Sequence, residues 1–170
     1  MIVPKCQQCS ATTKKGQRCK RNTCKLFPYC WTHLKSIENL QVKRSDIPNA
    51  GDGLFYVGKT PFPARKKIVE YSAVKISNND DDDSGYSLQV GRDRYLDSIN
   101  KQNYPGRWIN SFKHTGKHPN VRFTGGSRIY KKGTGQNKRF TVPIITTKRI
   151  KPNEELLLNY GRTYTIVPQP

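Results

Sequence analysis

The sequence is marked first by what is missing from it. No run of about 18 apolar residues occurs among its 170 residues, so we expect no membrane-spanning helix. The N-terminal stretch MIVPKCQQCS has no apolar centre of the kind that a secretory signal carries. Both absences predict an intracellular protein that has no membrane partner.

Cysteine is absent after residue 30, and acidic residues are absent from residues 1–35. All five cysteines lie between Cys6 and Cys30, and His33 follows them closely. Clustered thiols beside a histidine, in a chain without an export signal, favour a metal site over disulfides.

Negative charge is also scarce along the whole chain. Lysine and arginine number 31 against 12 aspartates and glutamates, which gives a formal net charge of +19. This balance allows two interpretations, a solvated surface or a basic N-terminus that contacts DNA or a nucleosome. Composition does not decide between them.

Four of the soft ligands have a spacing that suits one tetrahedral Zn²⁺, namely Cys9, Cys19, Cys30 and His33. A bound metal would replace the hydrophobic core that this short polar segment cannot build. A competing ligand set is Cys6, Cys9, Cys30 and His33, which begins with a Cys-x-x-Cys pair. The third interpretation is a group of buried thiols without a metal.

Residues 9–33 also resemble small basic Cys3His modules. The shared pattern is Cys-x-Ala-Thr-Thr-x-x-Gly-x-x-Cys-Lys, followed by Tyr-Cys-Trp-x-His. This resemblance implies the first ligand set and leaves Cys6 and Cys24 outside it. We expect Tyr29 and Trp31 to pack on the metal site without a chemical role.

The stretch 147–164, TKRIKPNEELLLNYGRTY, carries the main motif of the rest of the chain. Leu156–Leu158 is a short apolar run that predicts a buried strand. The strand leads to Tyr160 and Tyr164, whose hydroxyls need partners if they are buried. The pattern resembles the C-terminal signature of SET-domain protein lysine methyltransferases, in which a Gly-Glu-Glu-Leu-like turn precedes an apolar strand and a catalytic Tyr.

Three earlier segments resemble the same family in the expected order. Gly51-Asp52-Gly53 lies in a turn between two predicted strands, and Tyr86 lies in a predicted hairpin strand. Residues 107–110 (RWIN) and 118–120 (HPN) resemble the two ends of the family motif Arg-Phe-Ile-Asn-His-Ser-Cys-x-Pro-Asn. Ser111 stands where the family has His, the family Cys is absent, and the interval is several residues longer.

The resemblance implies a mainly β fold of small curved sheets with a C-terminal pseudoknot. It divides the chain into a basic zinc-finger-like module (1–36), a SET domain (37–166) and a tail (167–170). Tyr160 and Tyr164 together are similar to the tyrosine pair of short viral or minimal SET enzymes.

The implied function is that of an S-adenosyl-L-methionine (SAM)-dependent protein lysine N-methyltransferase acting on a histone or another basic tail, with SAM and Zn²⁺ as cofactors. We expect a nuclear location (the host nucleus for a viral protein), and a homodimer is compatible with the resemblance. Tyr160 takes the main catalytic place, with Tyr86 and Tyr164 shaping a lysine channel. The implied cofactor-binding residues are Gly51, Asp52, Gly53, Arg107, Asn110, Ser111 and Tyr160. The alternative is a catalytically degenerate SET domain that serves as a chromatin or nucleic-acid binding module.

Two local expectations concern secondary structure. Residues 34–40 predict a short helix or a linker. Residues 140–145 predict a strand with Pro143 at an edge or a bulge, because proline cannot donate a hydrogen bond to a neighbouring strand.

Overall fold

The computed structural model describes residues 7–23, 29–73, 75–77, 87–91, 94–97, 105–113, 115–124, 130–132 and 139–160. This part of the chain is mainly β, as the sequence predicts. Its only α-helix, α1, is the short segment Trp31–His33, and a π-helical turn, Leu34–Glu38, continues it. A 3₁₀ turn covers Pro105–Trp108. No helix in the described ranges is long and apolar enough to cross a membrane.

The strands are short, as expected for a chain divided by many turns. They are β1 (Gln7–Gln8), β2 (Asn22–Thr23), β3 (Leu40–Arg44), β4 (Asp52–Tyr56), β5 (Lys67–Ala73), β6 (Lys75–Ser77), β7 (Ser87–Gly91), β8 (Arg94–Asp97), β9 (Asn110–Ser111), β10 (Val121–Phe123), β11 (Tyr130–Lys132), β12 (Arg139–Thr146) and β13 (Leu157–Leu158).

The largest sheet is built around β12. This strand pairs antiparallel with β5 along one edge, and with β10 and β11 in succession along the other. Its apolar residues Val142 and Ile144 are buried, and Val69 of β5 lies opposite Ile144. Because both edges of β12 are paired, this strand forms the middle of the sheet.

Pro143 lies on this central strand, so the expectation of an edge position is wrong. The Pro143 carbonyl accepts a hydrogen bond from the Thr124 N–H at 3.0 Å, on the side where β10 ends and β11 begins. The backbone nitrogen of an antiparallel residue faces the same side as its carbonyl. The Pro143 nitrogen, which has no hydrogen to donate, therefore faces the gap between β10 and β11. A bulge lies close to it, between Ile144 and Ile145.

The remaining strands form smaller sheets. β3 and β4 form an antiparallel hairpin, β8 lies between β6 and β7, and β1 pairs with β2. The pairing of β13 with β9 is parallel and joins Leu157 to Asn110 and Leu158 to Ser111. This parallel pair brings the two most informative sequence motifs side by side.

The segment that leads into β13 is held from both sides. On one side, the Leu156 N–H donates to the Leu54 carbonyl at 2.8 Å, and the Tyr56 N–H donates to the Glu154 carbonyl at 3.0 Å. On the other side, the Phe112 N–H donates to the Leu158 carbonyl at 3.0 Å. A C-terminal segment between two earlier parts of the chain is the arrangement expected of a threaded strand.

A single turn joins the N-terminal module to the main core. Leu34 follows His33 directly, is fully buried, and packs in the same cluster as Leu40 and Leu54. The π-helical turn ends at Asn39, whose φ of 54° is left-handed and whose carbonyl accepts from the Val57 N–H at 2.8 Å. The expectation of a short helix over 34–40 therefore holds up to Glu38, and β3 begins at Leu40.

Candidate active site and metal centre

The β1–β2 hairpin and α1, whose N-cap is Cys30, bring four soft ligands together. The ligand atoms of Cys9, Cys19, Cys30 and His33 all lie within 4.8 Å of one another. His33 Nδ1 is 3.5 Å from Cys9 Sγ and 3.3 Å from Cys30 Sγ. A tetrahedral Zn²⁺ with ordinary bond lengths sets its sulfur and nitrogen ligands about 3.5 Å apart. The four side chains therefore fit a single zinc ion.

The Cys30 thiol has a lowered pKa, which favours metal binding. Burial alone would raise its pKa, but a backbone hydrogen bond from His33 and contacts with the His33 ring and the Cys9 and Cys19 thiols lower the pKa from 9.0 to about 6. The thiolate is the form of cysteine that binds a metal. The lowered pKa of Cys30 therefore favours its metal-binding form.

The two aromatic residues beside Cys30 behave differently from each other. Tyr29 packs against the cysteine cluster, as expected. Trp31 does not: 46% of it is exposed, so the expectation that it packs on the metal site is wrong. Cys6, which the competing ligand set requires, and Cys24 lie outside the described residues.

Metal analysis of variants separates the two ligand sets. Cys19→Ser should lower the bound zinc well below one equivalent, because a four-coordinate structural site loses a ligand. Cys6→Ser is the matched control and should retain full zinc. Elemental analysis of the purified proteins gives the stoichiometry. Zinc loss in Cys6→Ser with retention in Cys19→Ser would establish the competing set instead.

The main domain holds a buried carboxylate, Glu155, at the centre of a polar cluster. Glu155 is 3% exposed and accepts hydrogen bonds from Ser45 Oγ at 2.7 Å, the Asp46 N–H at 3.3 Å and Asn110 Nδ2 at 3.0 Å. Several donors around a buried carboxylate offset the large cost of removing it from water. Glu155 therefore ties the Ser45–Gly53 turn to β9.

Glycine is required for different reasons at Gly51, in the loop before β4, and at Gly53, within β4. Gly51 has a φ of +70°, a left-handed conformation that favours glycine, and a Cβ there would meet nothing within 4 Å. A Cβ at Gly53 would lie 2.2 Å from Glu155 Oε1 and 3.2 Å from Asn110 Nδ2. The space beside Gly53 is thus filled by the Glu155 cluster.

Asn110 is oriented by two acceptors. Its Nδ2 donates to Glu155 Oε1 at 3.0 Å and to the Asp52 carbonyl at 3.1 Å. Because both neighbours are acceptors, the amide nitrogen must face them. Within the described residues no partner contacts the Asn110 Oδ1, so this oxygen is available to a donor on a ligand.

Tyr160 contacts the residue that precedes β9. Its hydroxyl donates to the Ile109 carbonyl, and its partly buried ring packs against the main core. The two sequence motifs, which are fifty residues apart, therefore meet in space. Tyr86 and Tyr164, the other predicted channel residues, lie outside the described residues.

Comparison with protein families agrees with this geometry. The family model described as SET domain matches residues 53–161, which is more than half of the chain. The chain belongs to the SET-domain family. No curated protein sequence matches it. Members of this family are typically protein lysine methyltransferases.

Two further residues that the motif comparison assigned to the cofactor site of the SET domain are buried. Arg107 is 6% exposed, and its guanidinium lies 5.1 Å from the centre of the Trp108 ring. Ser111 is 5% exposed, and its Oγ accepts from the Lys113 N–H at 3.3 Å. The Ser111 side chain thus closes a local turn.

Asn120 is a residue whose role the sequence did not reveal. It is 2% exposed, its Nδ2 donates to the Glu155 carbonyl at 2.7 Å, and its Oδ1 accepts from the Leu157 N–H at 2.7 Å. The side chain thus acts as an extra strand partner for the segment before β13. The His-Pro-Asn match indicated the position of Asn120, and only the fold shows this structural use.

Glu154 is held in its charged form by its neighbours. Burial would raise its pKa, but the Lys151 N–H at 2.8 Å, Asn120 Nδ2 at 3.0 Å and the Lys148 ammonium at 3.0 Å together lower it below the usual 4.5. The folded state therefore holds this proton less tightly than the unfolded chain does.

This lowered pKa predicts an acid-dependent loss of stability. The contribution of Glu154 is fully present above pH 4.5 and is lost as the pH falls through its folded pKa. Urea unfolding over a pH series gives the free energy of unfolding at each pH. As the pH falls below 4.5, this free energy should decrease less steeply for Glu154→Gln than for the parent. The exposed Glu38→Gln variant is the control and should follow the parent. Parallel curves for Glu154→Gln and the parent would contradict the prediction.

Proposed function

We propose that the protein is a SAM-dependent protein lysine N-methyltransferase. The observation that supports this most directly is the meeting of Asn110 and Tyr160, through the pairing of β9 with β13 and the Tyr160 hydrogen bond to Ile109. A methyl transfer needs its donor and its acceptor amine held in line, so positioning supplies much of the rate. A site assembled from two distant chain segments meets that need.

The residues around Gly53 suit the amino-acid part of SAM. Asn110 Oδ1 offers an acceptor for an ammonium group, and the exposed Asp52, whose carbonyl accepts from Asn110 Nδ2, begins β4. Glu155 holds Asn110 and the loop that begins at Ser45 through hydrogen bonds from Asn110 Nδ2 and the Asp46 N–H. When bound, SAM supplies an electrophilic methyl group on a positively charged sulfur.

Tyr160 would act on the target amine. A lysine must lose its proton before it can attack, although its ordinary pKa is about 10.4. Burial in a dry channel disfavours the ammonium form, and a phenol can orient the neutral amine by hydrogen bonding. We assign this role to Tyr160, with Tyr86 and Tyr164 completing the channel and limiting the number of methyl groups added.

The substrate we propose is a basic protein tail, such as a histone tail in the nucleus. The zinc-binding module over 1–36 would dock the SET domain over 37–166 on an anionic assembly such as chromatin. Cys9, Cys19, Cys30 and His33 are the zinc ligands in this proposal, because their ligand atoms converge. The tyrosine spacing, Tyr160-Gly-Arg-Thr-Tyr164, supports the short type of SET enzyme.

A second candidate is a SET domain that binds chromatin without catalysis. The observation in its favour is Ser111, whose buried hydroxyl is engaged by Lys113 and supplies no substitute for the family His. Loss of that imidazole would weaken the cofactor site more than the fold.

A calorimetric titration with SAM separates the two candidates. The enzyme should release or absorb measurable heat with a saturable isotherm, whereas a degenerate domain should give none even at millimolar SAM. An assay with isotope-labelled SAM and core histones then tests for transfer. Binding without transfer to any basic protein would leave the binding module as the better assignment.

A further inference from the structure

The surface of the N-terminal module that carries its positive charge is built on a small hairpin. The Cys9 N–H donates to the Arg21 carbonyl and the Cys19 N–H donates to the Ala11 carbonyl, each at 2.8 Å. The Thr13 N–H donates to the Gln17 carbonyl at 2.7 Å and closes the tip. Two of its residues, Cys9 and Cys19, are among the clustered soft ligands. The hairpin is therefore a fixed frame for the side chains that it exposes.

The charged side chains that this module exposes are nearly all cationic. The exposed cations of residues 7–38, within the described part, are Lys14, Lys15, Arg18, Lys20, Arg21 and Lys35, and the only acid is Glu38. Arg18 is held in place by hydrogen bonds to the Gln8 carbonyl at 2.9 Å and the Cys9 carbonyl at 3.1 Å. A fixed cluster of positive charges attracts a polyanion and raises the rate at which it associates.

The same module also exposes a large aromatic side chain. Trp31 is 46% exposed, although it directly follows the buried ligand Cys30. The next residue, Thr32, accepts a hydrogen bond from the Arg21 guanidinium through its Oγ1. The chain on both sides of Trp31 is therefore held in place, and the hairpin cation Arg21 contacts the residue that follows Trp31. An exposed aromatic ring beside cations is the arrangement on which nucleic-acid bases stack.

The distribution of charge argues against a helix that reads the major groove of a DNA duplex. A helix that enters the major groove carries its contact residues along its own length. Here the helical segment 31–38 bears only Lys35 as a cation, and the other cations lie on the hairpin. The bases of a duplex are already stacked on one another, whereas a single strand offers free base faces. An acidic peptide supplies charge and offers no flat ring for Trp31.

We propose that this module binds single-stranded nucleic acid, with phosphates on the hairpin cations and a base stacked on Trp31. The proposal keeps the docking role given to the module under the proposed function and names single-stranded nucleic acid, in place of duplex DNA in chromatin, as its anionic partner. It does not depend on methyl transfer, because none of these residues belongs to the Gly53–Asn110–Tyr160 site.

Fluorescence anisotropy of the full zinc-loaded chain, measured without SAM, tests the proposal. The probes are a labelled single strand of about 12 nucleotides, the duplex of the same sequence, and a labelled polyglutamate peptide. We expect the single strand to bind most tightly. Trp31→Ala should weaken that binding about tenfold or more, and Trp31→Phe should recover part of the loss. Ile37→Ala, which removes an apolar side chain that is also 46% exposed, should bind as the parent does.

Salt dependence tests the electrostatic part. The double variant Lys14→Gln and Lys15→Gln should make the slope of log K against log salt shallower by about 1.4, since each phosphate contact on a single strand contributes about 0.7. Equal binding of single strand and duplex, normal binding by Trp31→Ala, or equally tight binding of polyglutamate would each overturn the proposal. The SAM titration is unaffected by any of these results, so the two proposals fail separately.

Discussion

Tyr160→Phe should lower methyl transfer by roughly 100-fold or more, while SAM binding stays nearly intact. The ring would still pack against the core, because only the hydroxyl that donates to the Ile109 carbonyl is removed. If that hydroxyl orients the amine of the substrate, its loss affects transfer and not cofactor binding. Single-turnover measurements with isotope-labelled SAM give the rate, and calorimetry gives the affinity.

A matched variant separates catalysis from packing. Tyr56 is a buried tyrosine that lies in β4 within the main core. Like the Tyr160 hydroxyl, its hydroxyl donates to a backbone carbonyl, that of Thr60 at 2.8 Å. Tyr56→Phe should cost about 1 kcal/mol of stability and leave the transfer rate largely unchanged. Equal loss of transfer in both variants would indicate a structural role for Tyr160. Unchanged turnover in Tyr160→Phe would refute its assignment.

The sequence predicted the strand pattern and the meeting of the two motifs for understandable reasons. Leu156–Leu158 is apolar throughout because both faces are covered, and all three residues are at most 2% exposed. The resemblance placed Asn110 and Tyr160 at one site, and the parallel pairing of β9 with β13 brings them together. The roles of these residues in binding and catalysis remain predictions.

The parts that sequence reasoning missed depend on long-range packing. Glu155 appeared only as one of two carboxylates in a turn, and nothing local distinguishes it from Glu154. The fold makes Glu155 a buried acceptor and leaves Glu154 partly exposed beside Lys148. Pro143 was expected at an edge or a bulge. The sequence of the strand does not reveal the gap between β10 and β11 that accommodates it, although a bulge does lie close by. Trp31 was expected to pack on the metal site, and its place next to Cys30 in the sequence does not reveal its exposure.

Glu155→Ala should destabilise the domain by roughly 3–5 kcal/mol, which is the second large effect that we expect. The substitution removes the acceptor of Ser45 Oγ and of the Asp46 N–H, and one of the two acceptors of Asn110 Nδ2. For a domain of this size, that loss lowers the melting temperature by about 10 °C. Thermal unfolding followed by circular dichroism measures the shift. Glu38→Ala, which removes an exposed carboxylate, should shift it little.

Glu155→Gln distinguishes a merely structural carboxylate from one that also positions Asn110. The amide keeps one acceptor oxygen, so the protein should fold with a smaller loss of stability, about 1–2 kcal/mol. Its NH₂ group faces either the Asp46 N–H or Asn110 Nδ2, both of which are donors, and one of these contacts is lost. If Asn110 then turns its Oδ1 away from the cofactor, SAM affinity falls in a folded protein. Calorimetry on this variant below its melting temperature decides the question, because unchanged SAM affinity would confine Glu155 to holding the fold.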